Sequence, residues 1–220
     1  AIRLVDSIGL KKEHQKGKRI YSGYGSGAPN AMLKVLTNQF KNVANTNVIQ
    51  WEEELWAMVE SHGPTRLNPD TLVTLGESNL DGGLRGGFSA HPHRIAGKPD
   101  LFNLGITFRR SPKLDLYHLI PGQNRPQRVE IANPGTPFVH DFALTSKHAI
   151  VFLPPISVDF SAVFQHQGAV TSGMNWNAEA GTEVVIIPLD DPHRQRRFRV
   201  DSFYTWHIGN AYERGDQLIV

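Results

Sequence analysis

The chain contains no cysteine. Disulfides and thiolate metal sites are therefore excluded, and a reducing, cytoplasmic compartment is compatible with the composition. Long apolar runs are missing as well, with no stretch near the roughly 18 residues that a membrane span requires. Charge of one sign is also lacking. Lys and Arg number 23 against 21 Asp and Glu, a formal net charge of +2, so no basic face is announced and nucleic acid is not expected as a partner. The one basic cluster, "HRQRRFR" at 193–199, follows "LDDP" and reads as a polar turn. Helical periodicity is scarce: the best candidate is "NAMLKVLTNQF" at 30–40, where threonine, asparagine and valine weaken the pattern.

What is present is enough chain, 220 residues at 40% hydrophobic, for one sizeable core. Short apolar runs are cut by Gly, Pro, Asn and Asp, among them "TNVIQW", "ELWAMVE", "TLVTLG", "LFNLGITF", "LDLYHLI", "RVEIA", "VHDFALT", "HAIVFLP", "EVVIIPL", "RFRVDSFYTWHIGNAY" and "DQLIV". These read as strands, and Asn-Pro-Asp in "RLNPDTLVTLG" marks a turn between two of them. The expected class is antiparallel all-β: a sandwich, a barrel or a propeller. Groups of about four strands per 40–50 residues favour propeller blades. The sequence runs from Ala1 to "GDQLIV", an apolar strand-like ending that suggests an internal fragment.

The chain is rich in histidine, with ten. His14, His62 and His193 lie in polar or turn-like stretches, and His118 and His148 at strand edges. His91 in "GGFSAHPH", His140 in "TPFVHDFALT" and His207 in "FYTWHIGNAYE" share aromatic and apolar neighbours. Any one alone reads as an ordinary core histidine hydrogen-bonded to backbone. Three together suit an all-imidazole metal site, because imidazole is a common ligand of iron, zinc and copper, and all three metals stay open. Spacings of 49 and 67 residues exclude a local cluster and suit ligands delivered by successive blades. A ligating imidazole needs a partner for its second N–H. Glu60 is the best candidate, since it ends an apolar strand on which a lone carboxylate would be costly to bury. Asp141, next to His140, would point to the opposite face of a strand and cannot serve that imidazole. Glu213 in "GNAYERGD" reads as a solvent-facing turn residue.

Several of these stretches, "NTNVI", "ELWAMVESHGPTRLNPDTLVTLG", "SAHPH", "FVHDFALT" and "WHIGNAYERGD", together resemble the carotenoid cleavage oxygenase family, in order from about residue 40 onward. The resemblance implies a seven-bladed β-propeller with a non-haem Fe(II) held by four histidines, which uses dioxygen to split an alkene into two carbonyl products. It assigns metal ligands to His91 (rather than His93), His140 and His207, and an outer supporting carboxylate to Glu60. The fourth ligand falls outside this sequence. Residues 1–220 are thus expected to form a single partial propeller domain, inactive without the remainder of the propeller. The implied partners are an apolar polyene, a carotenoid or apocarotenoid, and dioxygen, with peripheral membrane contact a further expectation. Stilbene-cleaving members carry a lysine just before the supporting glutamate, where this sequence has Val59, which favours the polyene. A stilbene dioxygenase or a non-catalytic propeller binding module is the alternative. Phe88, Phe138, Phe142 and Phe203, with Phe164 and Trp176, are expected to line the substrate path.

Overall fold

The computed structural model describes residues 2–21, 41–107, 112–131, 138–166 and 170–220, so the helix expected at 30–40 and the Phe164 side chain lie outside the described residues. Fifteen short strands dominate it. β1 (Asn47–Trp51), β2 (Glu54–Met58), β3 (Thr65–Leu67) and β4 (Thr74–Glu77) form an antiparallel meander. The second sheet is three-stranded: β5 (Leu101–Thr107), β6 (Lys113–Leu119) and β7 (Gln127–Ile131). The third contains β8 (Ala143–Leu144), β9 (His148–Leu153), β12 (Thr182–Pro188) and β13 (Arg196–Val200), in the order β13-β12-β9-β8. Between β9 and β12 lie the hairpin β10 (Ile156–Val158) and β11 (Met174–Trp176) and a six-residue helix, Phe160–Gln165. A last hairpin pairs β14 (Tyr212–Arg214) with β15 (Gln217–Ile219).

The sheets stack face to face, as consecutive blades of a β-propeller do. Trp51, Trp56 and Met58 of the first meet Leu101, Tyr117 and Leu119 of the second, with Phe88 between them. The other face of the second sheet puts Leu104, Ile106, Leu114 and Leu116 against Val151, Leu153, Val185 and Ile187 of the third. Burial from both sides explains why all seven residues of β5, "LFNLGIT", are buried. Such a strand reads as a near-continuous apolar run rather than an alternating one. Among the described residues no helix is long and apolar enough to cross a membrane. A helix that the periodicity did not announce, α1 (Ile8–Lys16), is set by its ends: Ser7 Oγ accepts from Leu10 N–H, and Gly17 closes it at φ +58°.

Two expected strands are largely irregular. "VHDFALT" contributes only Ala143–Leu144 to a sheet, and "RFRVDSFYTWHIGNAY" stops as a strand at Val200. In both, side chains capture the backbone donors that a ladder would use: Phe142 N–H donates to Asp141, Phe203 N–H to Thr182, and Ile208 N–H to Asp141.

Residues 86–90 thread between the first two sheets. Gly87 N–H donates to Ile106 O, Phe88 N–H to His62 O, and Ser89 N–H to Leu104 O. At Gly87 a Cβ would lie 2.2 Å from the Glu60 carbonyl oxygen, a backbone atom that cannot rotate away. Gly87→Ala should therefore lower stability by about 1–3 kcal/mol, the usual cost of overpacking. Urea unfolding of the natural-length protein checks this, and an unchanged midpoint would contradict it.

Candidate metal centre

The segment 86–90 presents His91 at the end of the first two sheets. Ala90 O accepts from Asn47 Nδ2 (2.8 Å), Ser89 O accepts from the buried Asn103 amide (2.7 Å), and His91 N–H donates to Ser89 Oγ (3.2 Å). Ser89 Oγ in turn donates to His140 O (3.2 Å), joining the first and second histidine segments.

The rings of His91 and His140 lie 4.3 Å apart, those of His91 and His207 4.8 Å, and those of His140 and His207 5.1 Å. One ring nitrogen from each lies within 4.8 Å of the others. Residues far apart in sequence thus converge on one point. His91 and His140 are half-buried and His207 is exposed. His91 Nε2 is buried with no hydrogen-bond partner, an orphan that a metal ion would satisfy. Burial, and then the neighbouring His140, push the His91 imidazole below its ordinary value, toward the neutral form that ligates. Three imidazoles without thiolate or carboxylate suit a first-row transition metal such as iron. The donor set therefore fits the metal implied by the sequence.

Glu60 lies 3.2 Å from His140 Nδ1, where its carboxylate accepts that N–H and leaves Nε2 free to ligate. Burial works to raise the Glu60 carboxyl, but hydrogen bonding to His140 and the nearness of His140 and His91 outweigh it and hold it below its usual range. Trp206 packs edge-on to His140 at 5.0 Å and Tyr204 edge-on to Trp206, also at 5.0 Å. Burial and the Glu60 carboxylate raise the Tyr204 hydroxyl.

The aromatics expected along a substrate path divide between the cores, the surface and two cavities. Phe88 and Phe142 are completely buried in the two cores, Phe142 edge-on to His93 at 4.8 Å. Residues 138–142 are not a strand, so the alternation that would put Phe142 on the face of His140 does not hold. Phe138 lines a small cavity with His140 and Tyr204. Phe203 packs on Phe152 at 5.4 Å and lines an open, largely apolar groove of about 860 Å³ that reaches His207. Trp176 stands exposed in β11. Tyr204 and Trp206 also stand beside the histidines, and their sequence signal is adjacency to His207.

Four further polar residues, His93, Asp141, Glu213 and His148, gain specific partners. His93 Nε2–H donates to Asp141 Oδ1 at 2.7 Å, so Asp141 is engaged away from His140 as expected, though by its own hydrogen bonds rather than by strand alternation. Glu213 does not face solvent: its carboxylate accepts from Thr145 Oγ1 and Ser146 Oγ at 2.6 Å, Lys147 N–H at 3.2 Å and His148 Nδ1 at 3.1 Å. It clips the last hairpin to the β8–β9 turn, whose cluster of hydroxyl and N–H donors selects a carboxylate. His148 is therefore part of this clip.

Burial opposes ionisation of Glu213, but the Ser146, Thr145 and His148 hydrogen bonds prevail and lower its carboxyl to about 2. A depressed folded value means that the clip stabilises fully above the ordinary 4.5 and fades as pH falls from there toward 2. The stability advantage of the wild type over Glu213→Gln should be constant from pH 7 to 5.5 and shrink below 4.5, as read by urea midpoints. A difference independent of pH would contradict the assignment.

A family model described as retinal pigment epithelial membrane protein matches residues 1–220. The apocarotenoid-15,15'-oxygenase of Synechocystis sp. is 31% identical over 231 residues, covering 99% of this chain and 46% of that protein. The carotenoid isomerooxygenase of Galleria mellonella is 25% identical, over 76% of this chain and 35% of its own length. A solved variant of the Synechocystis apocarotenoid oxygenase superimposes with a TM-score of 0.81 at 27% identity, covering 97% of this chain and 47% of that one. The same oxygenase has been solved in cobalt-substituted form, which superimposes with a TM-score of 0.78. The chain spans about half the length of the Synechocystis oxygenase and about a third of the Galleria protein.

Proposed function

The chain belongs to the retinal pigment epithelial membrane protein family of carotenoid cleavage oxygenases, and on that premise we propose that it supplies three of the iron(II) ligands of an oxygenase that cleaves a carotenoid or apocarotenoid double bond. The observation that carries this reading is the convergence of His91, His140 and His207 on one point, with His91 Nε2 left unpartnered. These three imidazoles would hold the metal, and Glu60 would orient His140 through its Nδ1–H. Bound iron(II) supplies the redox chemistry that activates dioxygen toward an alkene.

The rest falls to the chain's own groups. Trp206 packs edge-on to the His140 ring and helps fix its orientation. Glu60 holds the Nδ1 proton, so the ligating nitrogen keeps its lone pair. No charged side chain stands at position 59, where the buried Val59 precedes Glu60; an apolar polyene suits this better than a phenol. One alkene and one dioxygen balance as two carbonyl products, each carrying one oxygen atom.

The test is product analysis with the natural-length, iron-loaded protein and an apocarotenoid under ¹⁸O₂. Two carbonyl products, each with one labelled oxygen, support the reading. An isomerised alcohol without cleavage, or turnover that survives metal stripping, would overturn it.

A further inference from the structure

The third histidine stands on the least regular support. Residues 201–211 form no strand, and His207 is exposed. Among the described residues, the backbone from Tyr204 to Ala211 is held to another segment by a single hydrogen bond, Ile208 N–H to Asp141 Oδ2 at 2.8 Å. The bond is made one residue after His207, and its acceptor is one residue after His140. The other oxygen of the same carboxylate accepts from His93 Nε2–H at 2.7 Å and from Phe142 N–H at 2.8 Å. His93 is two residues after His91 and is itself fixed, since its N–H donates to Phe102 O and its carbonyl accepts from Phe102 N–H, both at 2.8 Å. Asp141 is only 4% exposed, so these charge-assisted bonds are sheltered from water.

We infer that Asp141 is the positioning residue that sets the distance between the three imidazoles, tying the irregular His207 segment to the second sheet through His93. This inference rests on the metal reading above but adds a residue that touches neither metal nor substrate. Its two oxygens accept three donors, and the chemistry requires that both be acceptors. In Asp141→Asn, one oxygen becomes an amide NH₂. Turned one way, the amide faces Ile208 N–H and releases the His207 segment. Turned the other way, it faces Phe142 N–H and disturbs the His93 side. An isosteric change therefore loses at least one of the three bonds in either orientation, and in the second the link to His93 survives only if that ring moves its proton to Nδ1.

The experiment is cobalt(II) titration of the metal-stripped, natural-length protein, followed by the visible absorption of the bound ion and by thermal unfolding of the metal-free form. The wild type should bind one cobalt. Asp141→Asn should weaken binding ten- to hundredfold, the usual cost of losing an outer partner, and change the cobalt band intensities as the ligand geometry loosens. His93→Leu, which keeps both backbone bonds to Asp141 but frees its anchor, should weaken binding less than Asp141→Asn while still shifting the spectrum. It also serves as the test if Asp141→Asn does not fold. If a folded variant melts lower but keeps the wild-type affinity within twofold and an unchanged spectrum, Asp141 is merely structural and the inference fails while the metal reading stands. If the wild type itself binds no cobalt, the metal reading fails first.

Discussion

His140→Ala should strip the natural-length protein of its metal, weakening affinity by more than about a hundredfold and abolishing turnover. The bound exceeds the ten- to hundredfold attached to outer partners because a ligand itself is lost. His140 is the strongest choice among the three histidines. It alone of the three carries the Glu60 contact. Removal also leaves Glu60 half-buried without its imidazole, so the vacated space holds an uncompensated carboxylate. Metal content by plasma mass spectrometry and affinity by competition with a chelator give the readout. Retention of stoichiometric metal would remove His140 from the site. The same variant should unfold below the wild-type temperature when both are metal-free, because Glu60 keeps its burial and loses its imidazole partner while the apolar clusters that join the sheets stay intact.

Glu60→Leu should weaken metal binding ten- to hundredfold, with a smaller loss of fold stability. The carboxylate accepts the His140 Nδ1 proton at 3.2 Å, which fixes the tautomer that leaves Nε2 free. Without it the proton is free to occupy either nitrogen, and part of the population presents N–H to the metal. Leucine fills comparable space, so cavity formation is not the cause of the loss. Glu60→Gln separates charge from hydrogen bonding: its amide oxygen still accepts from Nδ1–H, and affinity should fall by less than in Glu60→Leu. Equal losses in the two variants would mean that the carboxylate acts by charge alone. No loss in either would detach Glu60 from the site.

Much of the architecture was legible in the sequence because strand formation here is driven by local patterning. "LFNLGITF", "LDLYHLI", "HAIVFLP" and "EVVIIPL" are apolar runs bounded by turn residues, and all four form strands. The three histidines stood out for their apolar surroundings, and the structure brings them together. Where side chains compete for backbone donors, local patterning failed. Asp141 and Thr182 take the N–H groups of Phe142, Ile208 and Phe203, so two apolar runs that resemble strands are bends. The same capture turned Phe142 into the core instead of beside His140.

What the sequence determined by itself, then, was composition-level and local: an all-β chain without thiolates, cut into short strands, with imidazoles as its distinctive chemistry. Only the tertiary structure decided which groups meet. Asp141 pairing with His93 across 48 residues and with Ile208 across 67, or Glu213 with Thr145 across 68, depends on where three separate sheets place their ends. Such contacts follow from the packing of whole sheets through shared apolar cores, a long-range balance that no window of neighbouring residues encodes.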